Sequence, residues 1–129
     1  MKRSIALTTG ALLVAGLLSA VVPAAMAGDN DVRRGGGCSS DSTWKLKLSE
    51  EDGGIEVEYE VDQNVTGDRW RVKLFRDGKR FFKGTRTTKG PSGSFEVERV
   101  TKNGGGSDRF KARARNLSTG ERCRGKAIW

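Results

Sequence analysis

The sequence predicts an all-β protein, a seven-stranded antiparallel β-sandwich behind an export leader. Three observations lead there. From Thr43 onward, apolar residues recur at every second position rather than every third or fourth. Clusters of Gly, Asn, Asp, Ser and Pro interrupt that pattern at short intervals. No segment past the leader carries a helical stripe, and many short alternating strands bury their apolar faces best as two packed sheets.

Positions 1–27 read as the leader. Lys2 and Arg3 give a positive start, Ile5 to Val22 an apolar run, and Ala25-Met26-Ala27 a small-x-small cleavage pattern. A secreted, extracellular product with no membrane span after cleavage is therefore expected. The chain carries a formal charge of +8, and loss of Lys2 and Arg3 leaves +6 on residues 28–129. The only two cysteines, Cys38 and Cys123, are expected to pair in an oxidising compartment. With no histidine and no CxxC spacing, nothing favours a metal pair instead.

Residues 28–42 predict a flexible lead-in, because Gly28-Asp29-Asn30-Asp31, Arg33-Arg34 and three glycines bury little apolar area. The Asp-Asn-Asp run lacks the loop glycine and downstream glutamate of a calcium loop. The sandwich then occupies 43–129. Trp44, Leu46 and Leu48 alternate with Lys45 and Lys47 in a first strand. After a turn at 50–54, Ile55 to Asp62 forms a second, with Ile55, Val57, Tyr59 and Val61 inward. The third, Arg69 to Arg76, turns Trp70, Val72 and Leu74 inward. Asp77-Gly78 is the strongest hairpin signal, since glycine readily takes the positive φ of a type I′ turn. The return strand runs from Lys79 to about Thr85, and a loop follows to Gly93. The fifth strand, Ser94 to Thr101, points Phe95 and Val97 in and Glu96 and Glu98 out. The sixth, Arg109 to Asn116, buries Phe110, Ala112 and Ala114. The last, Glu121 to Trp129, alternates Cys123, Gly125, Ala127 and Trp129 with Arg122, Arg124, Lys126 and Ile128.

Two stretches carry a family resemblance. Trp70-Arg71-Val72-Lys73-Leu74-Phe75-Arg76-Asp77-Gly78-Lys79 resembles the third strand and hairpin of fibronectin type III and related immunoglobulin-like domains. Phe110 to Asn116 with Thr119-Gly120 is similar to their sixth strand and following turn. The resemblance covers most of 43–129 and implies an architecture, not a chemistry. A Cys38–Cys123 bridge departs from antibody domains, which link the second and sixth strands across the core. The leader and small size are also similar to those of secreted actinobacterial proteins.

The composition argues against an enzyme. Without histidine the commonest general base, the usual serine triads and most catalytic zinc sites are missing. Glu56, Glu58 and Glu60 alternate outward on a strand, solvated rather than set in a cleft. The glycine clusters at 35–37 and 104–106 precede no helix, so no nucleotide fingerprint exists and no cofactor is expected. Asn64-Val65-Thr66 and Asn116-Leu117-Ser118 fit the glycan acceptor pattern, which is short and frequent by chance.

Charge is the remaining signal. The fibronectin type III arrangement implies that strands three, six and seven share a sheet. Its outer face then carries Arg69, Arg71 and Lys73, then Arg109, Lys111, Arg113 and Arg115, then Arg122, Arg124 and Lys126. The other sheet shows Glu56, Glu58, Glu60, Asp62, Glu96 and Glu98, edged by Lys45 and Lys47. Solubility alone accounts for a basic surface. A sharper reading is a face for a polyanion such as an anionic cell-envelope polymer or glycan. Nucleic acid ranks lower, since Phe75 and Ile128 are too few for a stacking platform. Two alternatives are self-association of the opposed faces into a structural exoprotein, and enzyme inhibition through a loop such as Lys83 to Gly93.

Overall fold

A computed structural model describes residues 30–129, and the leader expected at 1–27 lies outside the described residues. Eight strands build two antiparallel sheets. They are β1 (Val32–Gly37), β2 (Thr43–Glu51), β3 (Gly54–Asp62), β4 (Arg69–Arg76), β5 (Lys79–Thr87), β6 (Ser94–Lys102), β7 (Arg109–Asn116) and β8 (Arg122–Ile128). One sheet has the order β1-β2-β3-β6 and the other β5-β4-β7-β8. The inward residues of the seven anticipated strands form one core, with Leu48, Ile55, Tyr59, Val61, Trp70, Val72 and Leu74 fully enclosed. Each such side chain contributes about 1.5–3 kcal/mol relative to exposure.

Two hairpins follow their turn chemistry directly. Asp52-Gly53 and Asp77-Gly78 each place two successive residues at positive φ, 47° and 79° in the first and 47° and 80° in the second. That twist matches the flanking strands. The β4–β5 hairpin also contains a bulge. Phe75 pairs with Arg80 but Leu74 with Phe82, leaving Phe81 as an extra residue. A bulge lets two neighbouring side chains face the same side. Phe81 therefore reaches the buried Phe110 edge-on, at 6.2 Å between ring centroids, while Phe82 closes the β5–β6 margin under the guanidinium of Arg99 at 4.5 Å.

Residues 28–42 are not a loose lead-in throughout. Val32–Gly37 pairs with β2 as an eighth strand, with Gly36 opposite Trp44. The composition concealed this, because the stabilising side chain belongs to the neighbour. The Trp44 indole lies against Gly36 on one side and Gly125 of the facing sheet on the other. Just beyond β1, the Cys38–Cys123 disulfide ties this end to β8 across a separation of 85 residues. Closing a loop that long restricts the unfolded chain by an amount worth about 4–5 kcal/mol. Glu121 secures the same loop, accepting from the Ser40 and Ser42 amides at 3.0 and 2.9 Å and from Ser42 Oγ at 2.6 Å.

The opposite end of the sandwich is closed by Arg76. Its Nη2 lies 2.9 Å from Asp108 Oδ1, and its Nη1 donates to Thr101 Oγ1 at 3.1 Å and to the Lys102 carbonyl. One guanidinium thus links the ends of β4 and β6 to the start of β7. Near the β3–β4 loop, Asn116 is fully buried. Its Nδ2 donates to Asp68 Oδ2, and its Oδ1 accepts from the Ser118 and Thr119 amides. The second glycan-acceptor tripeptide is therefore occupied by structure. Hydrogen bonds from Asn116 and Gln63 hold the Asp68 carboxyl below its ordinary range.

The Trp44 wedge yields a test. A Cβ at Gly125 would stand 2.8 Å from Trp44 Cζ3, whereas one at Gly37 meets nothing within 4 Å. Gly125→Ala is expected to destabilise the fold by about 1–3 kcal/mol through overpacking. Gly37→Ala should stay within about 0.5 kcal/mol of the parent. Thermal unfolding of both variants measures the difference, and equal melting temperatures would contradict the wedge.

Candidate functional site

The strands that carry the basic residues are neighbours. β7 lies between β4 and β8, and its burial pattern alternates without a break. Phe110, Ala112 and Ala114 face the core, so Arg109, Lys111, Arg113 and Arg115 face out. Register then sets cations directly opposite one another. Arg71, Arg115 and Arg122 form one row across the strands, and Lys73, Arg113 and Arg124 form the next. Lys111 pairs with Lys126, with Phe75 on the far side of Lys111. Arg69 and Arg109 sit at the margins, opposite Thr87 and Ile128. All ten predicted cations thus share one outer surface.

Among the described residues, no carboxylate pairs with any of the ten; the four ion pairs involve Arg33, Lys47 and Arg76. The only aromatic ring held by this face is Phe75, with the Arg113 guanidinium 5.3 Å from its centroid. Each like-charge pair facing across strands costs roughly 0.2–1 kcal/mol. A groove of about 290 Å³ lies in this surface, bounded by Arg71, Lys73, Arg113, Arg115, Arg122 and Arg124.

Strand β5 adds two exposed cations to the face, Arg80 opposite Phe75 and Lys83 opposite Lys73, and the second escapes a reading of the sequence. An unbulged hairpin from Asp77-Gly78 would have set Phe82 opposite Lys73 and turned Lys83 inward. The extra residue at Phe81 reverses that, and the only hint of it is the adjacent pair of phenylalanines. Strand β5 also shortens the loop anticipated from Lys83 to Gly93. It runs to Thr87, Thr88 is buried, and Lys89 bridges to Ser94, leaving a tight turn at 90–93.

The other sheet is acidic along its β3–β6 half only. Glu58 lies opposite Glu98, and Glu60 opposite Glu96. On β2, Lys47 pairs with Glu58 at 3.2 Å and with Asp31 at 3.8 Å, so Asp31 is part of the fold rather than of a solvated tail. Carboxylate oxygens of Glu56, Glu58 and Glu98 lie within 4.8 Å of one another, and this trio is where a cation would find most oxygen ligands. Burial, then the Glu58 charge, raises the Glu56 carboxyl above its ordinary value. A hydrogen bond with Glu98, then burial and the surrounding carboxylates, pushes Glu96 up to about 7. The same bond lowers Glu98.

Comparison with protein-family models, with curated proteins and with solved structures finds no match to this chain.

The Glu96 shift has a defined sign. Between the ordinary carboxylate range and about 7, the folded protein retains a proton that the unfolded chain has released. Stability therefore falls as pH rises through that window. Glu98→Gln leaves Glu96 beside an amide donor, which favours the charged form. The loss of melting temperature from about pH 5 to about pH 8 should be smaller in this variant than in the parent. Parallel profiles would show that the pair does not share its proton.

Proposed function

We propose that the protein is a secreted, non-enzymatic binding module, immunoglobulin-like in architecture, that takes an anionic polymer on the outer surface of β4, β7 and β8. The observation that carries this reading is the ten-cation surface with no ion-paired carboxylate among the described residues. Threonine or alternating signs would have met the needs of solubility without the like-charge cost. An approaching polyanion removes that cost, and its counterions add to the gain. The absence of histidine supports a binding role over catalysis. The order β5-β4-β7-β8 facing β2-β3-β6 supports the fibronectin type III-like reading, with β1 as an added edge strand. The disulfide fits an oxidising extracellular compartment. No helix among the described residues is long and apolar enough to cross a membrane.

Charge reversal tests this reading. Arg113→Glu with Arg115→Glu replaces two central cations by anions at exposed sites. Affinity for an anionic glycan should fall by about tenfold or more, and the double variant should show a shallower dependence on salt. Unchanged affinity, or affinity that salt does not weaken, would refute the proposal.

A second reading is favoured by the carboxylates of β3 and β6, which form a strip complementary to the basic surface. Docking one onto the other is a heterologous contact that builds chains. Sedimentation at low ionic strength should then show species that grow with protein concentration. A strict monomer would eliminate this reading.

A further inference from the structure

The groove in the basic surface has a direction. Its bounding cations fall into two rows that cross the strands: Arg71, Arg115 and Arg122 on one side, and Lys73, Arg113 and Arg124 on the other. Within a row, neighbours stand on adjacent strands, about 4.8 Å apart; the rows lie two residues apart along each strand, about 6.8 Å. Ala114 and Cys123 also line the groove although both side chains are buried in the core. Their backbone therefore forms the floor between the rows. Lys83 extends the second row onto β5, making a track of about 14 Å over four strands.

We infer that this track seats a single extended chain of an acidic polysaccharide bearing one carboxylate per sugar, laid across the strands rather than along them. The inference rests on the polyanion reading and narrows it. The narrow cross-section admits one chain and excludes a double helix, whose paired backbones need a wider surface. A linked pyranose advances by about one strand spacing, so successive carboxylates meet successive cations of a row. Phosphates of a polyphosphate sit closer together than adjacent strands and leave the row out of step. Five of the six bounding cations are arginines, whose planar fork suits a carboxylate through two parallel hydrogen bonds. A stacked base finds no free ring, because Arg113 already covers Phe75.

A chain lying across four strands engages three to four sugars, and further sugars extend beyond the track. This sets it apart from diffuse attraction to a basic surface, in which affinity grows steadily with the number of charges.

The test uses the disulfide-bonded protein and purified oligogalacturonates of two to eight units, with inorganic polyphosphate and duplex DNA as comparison ligands at one salt concentration. Affinity should climb steeply to the tetramer and then level off. Two double variants then separate the track from the rest of the face. Arg113→Gln with Arg124→Gln lies in the track, whereas Lys111→Gln with Lys126→Gln removes an equally exposed facing pair outside it. The first should weaken tetramer binding by about tenfold or more and the second by less than about threefold. Melting temperatures within a few degrees of the parent verify that both variants fold.

Equal losses in the two variants, or affinity that rises evenly to eight units, would overturn the track while leaving a polyanion surface intact. Tighter binding per charge of polyphosphate or duplex DNA would overturn the polysaccharide assignment. Absence of binding to all three ligands would refute the underlying polyanion reading together with this one.

Discussion

The outer surface depends on the burial of three small or flat side chains, Phe110, Ala112 and Ala114, at the centre of one sheet. In a strand every buried residue sends its neighbours to the other face. Enclosing these three therefore fixes Arg109, Lys111, Arg113 and Arg115 in a line on the outside. A slip of one residue would bury four cations, so the register of β7 is held by the strongest penalty available to a sheet. The partners comply in the same way, since Trp70, Val72 and Leu74 orient β4, and Cys123, Gly125 and Ala127 orient β8. Gly125 on β8 makes room for the Trp44 indole from the facing sheet. Packing and charge display are two results of one alternation.

Much of this is legible in the residues themselves. Period-two runs locate seven strands, Asp77-Gly78 marks its hairpin, and the isolated cysteines indicate their bridge. What escapes a linear reading is information held by one strand about another. The Val32–Gly37 edge has no apolar pattern of its own; it pairs because Trp44 covers Gly36 from the next strand. The bulge at Phe81 adds a residue without changing the composition, and with it moves Lys83 onto the basic face. Asn116 matches a short surface motif yet is enclosed by hydrogen bonds to Asp68 and the following turn. In each case the deciding partner is distant in sequence or the deciding feature is a register shift.

The two faces handle charge differently. On β3 and β6, facing glutamates are relieved by Lys47 and by the raised proton affinity of Glu96. On β4, β7 and β8 neither route is open. No acid stands within ion-pair distance of the ten cations among the described residues, and no cation there has an opposite charge to offset its neighbours. Repulsion there is left for solvent, salt or a ligand to neutralise. This asymmetry makes the basic sheet the better candidate for a binding surface, and its two-row groove gives that surface a direction.

The most direct measurement is a backbone amide NMR titration of the isotope-labelled protein with tetragalacturonate at low salt. Shifts are expected to concentrate at Arg71 to Lys73, Arg113 to Arg115 and Arg122 to Arg124, with β3 and β6 silent. Shifts spread over both sheets, or none at saturating ligand, would contradict the proposed binding surface.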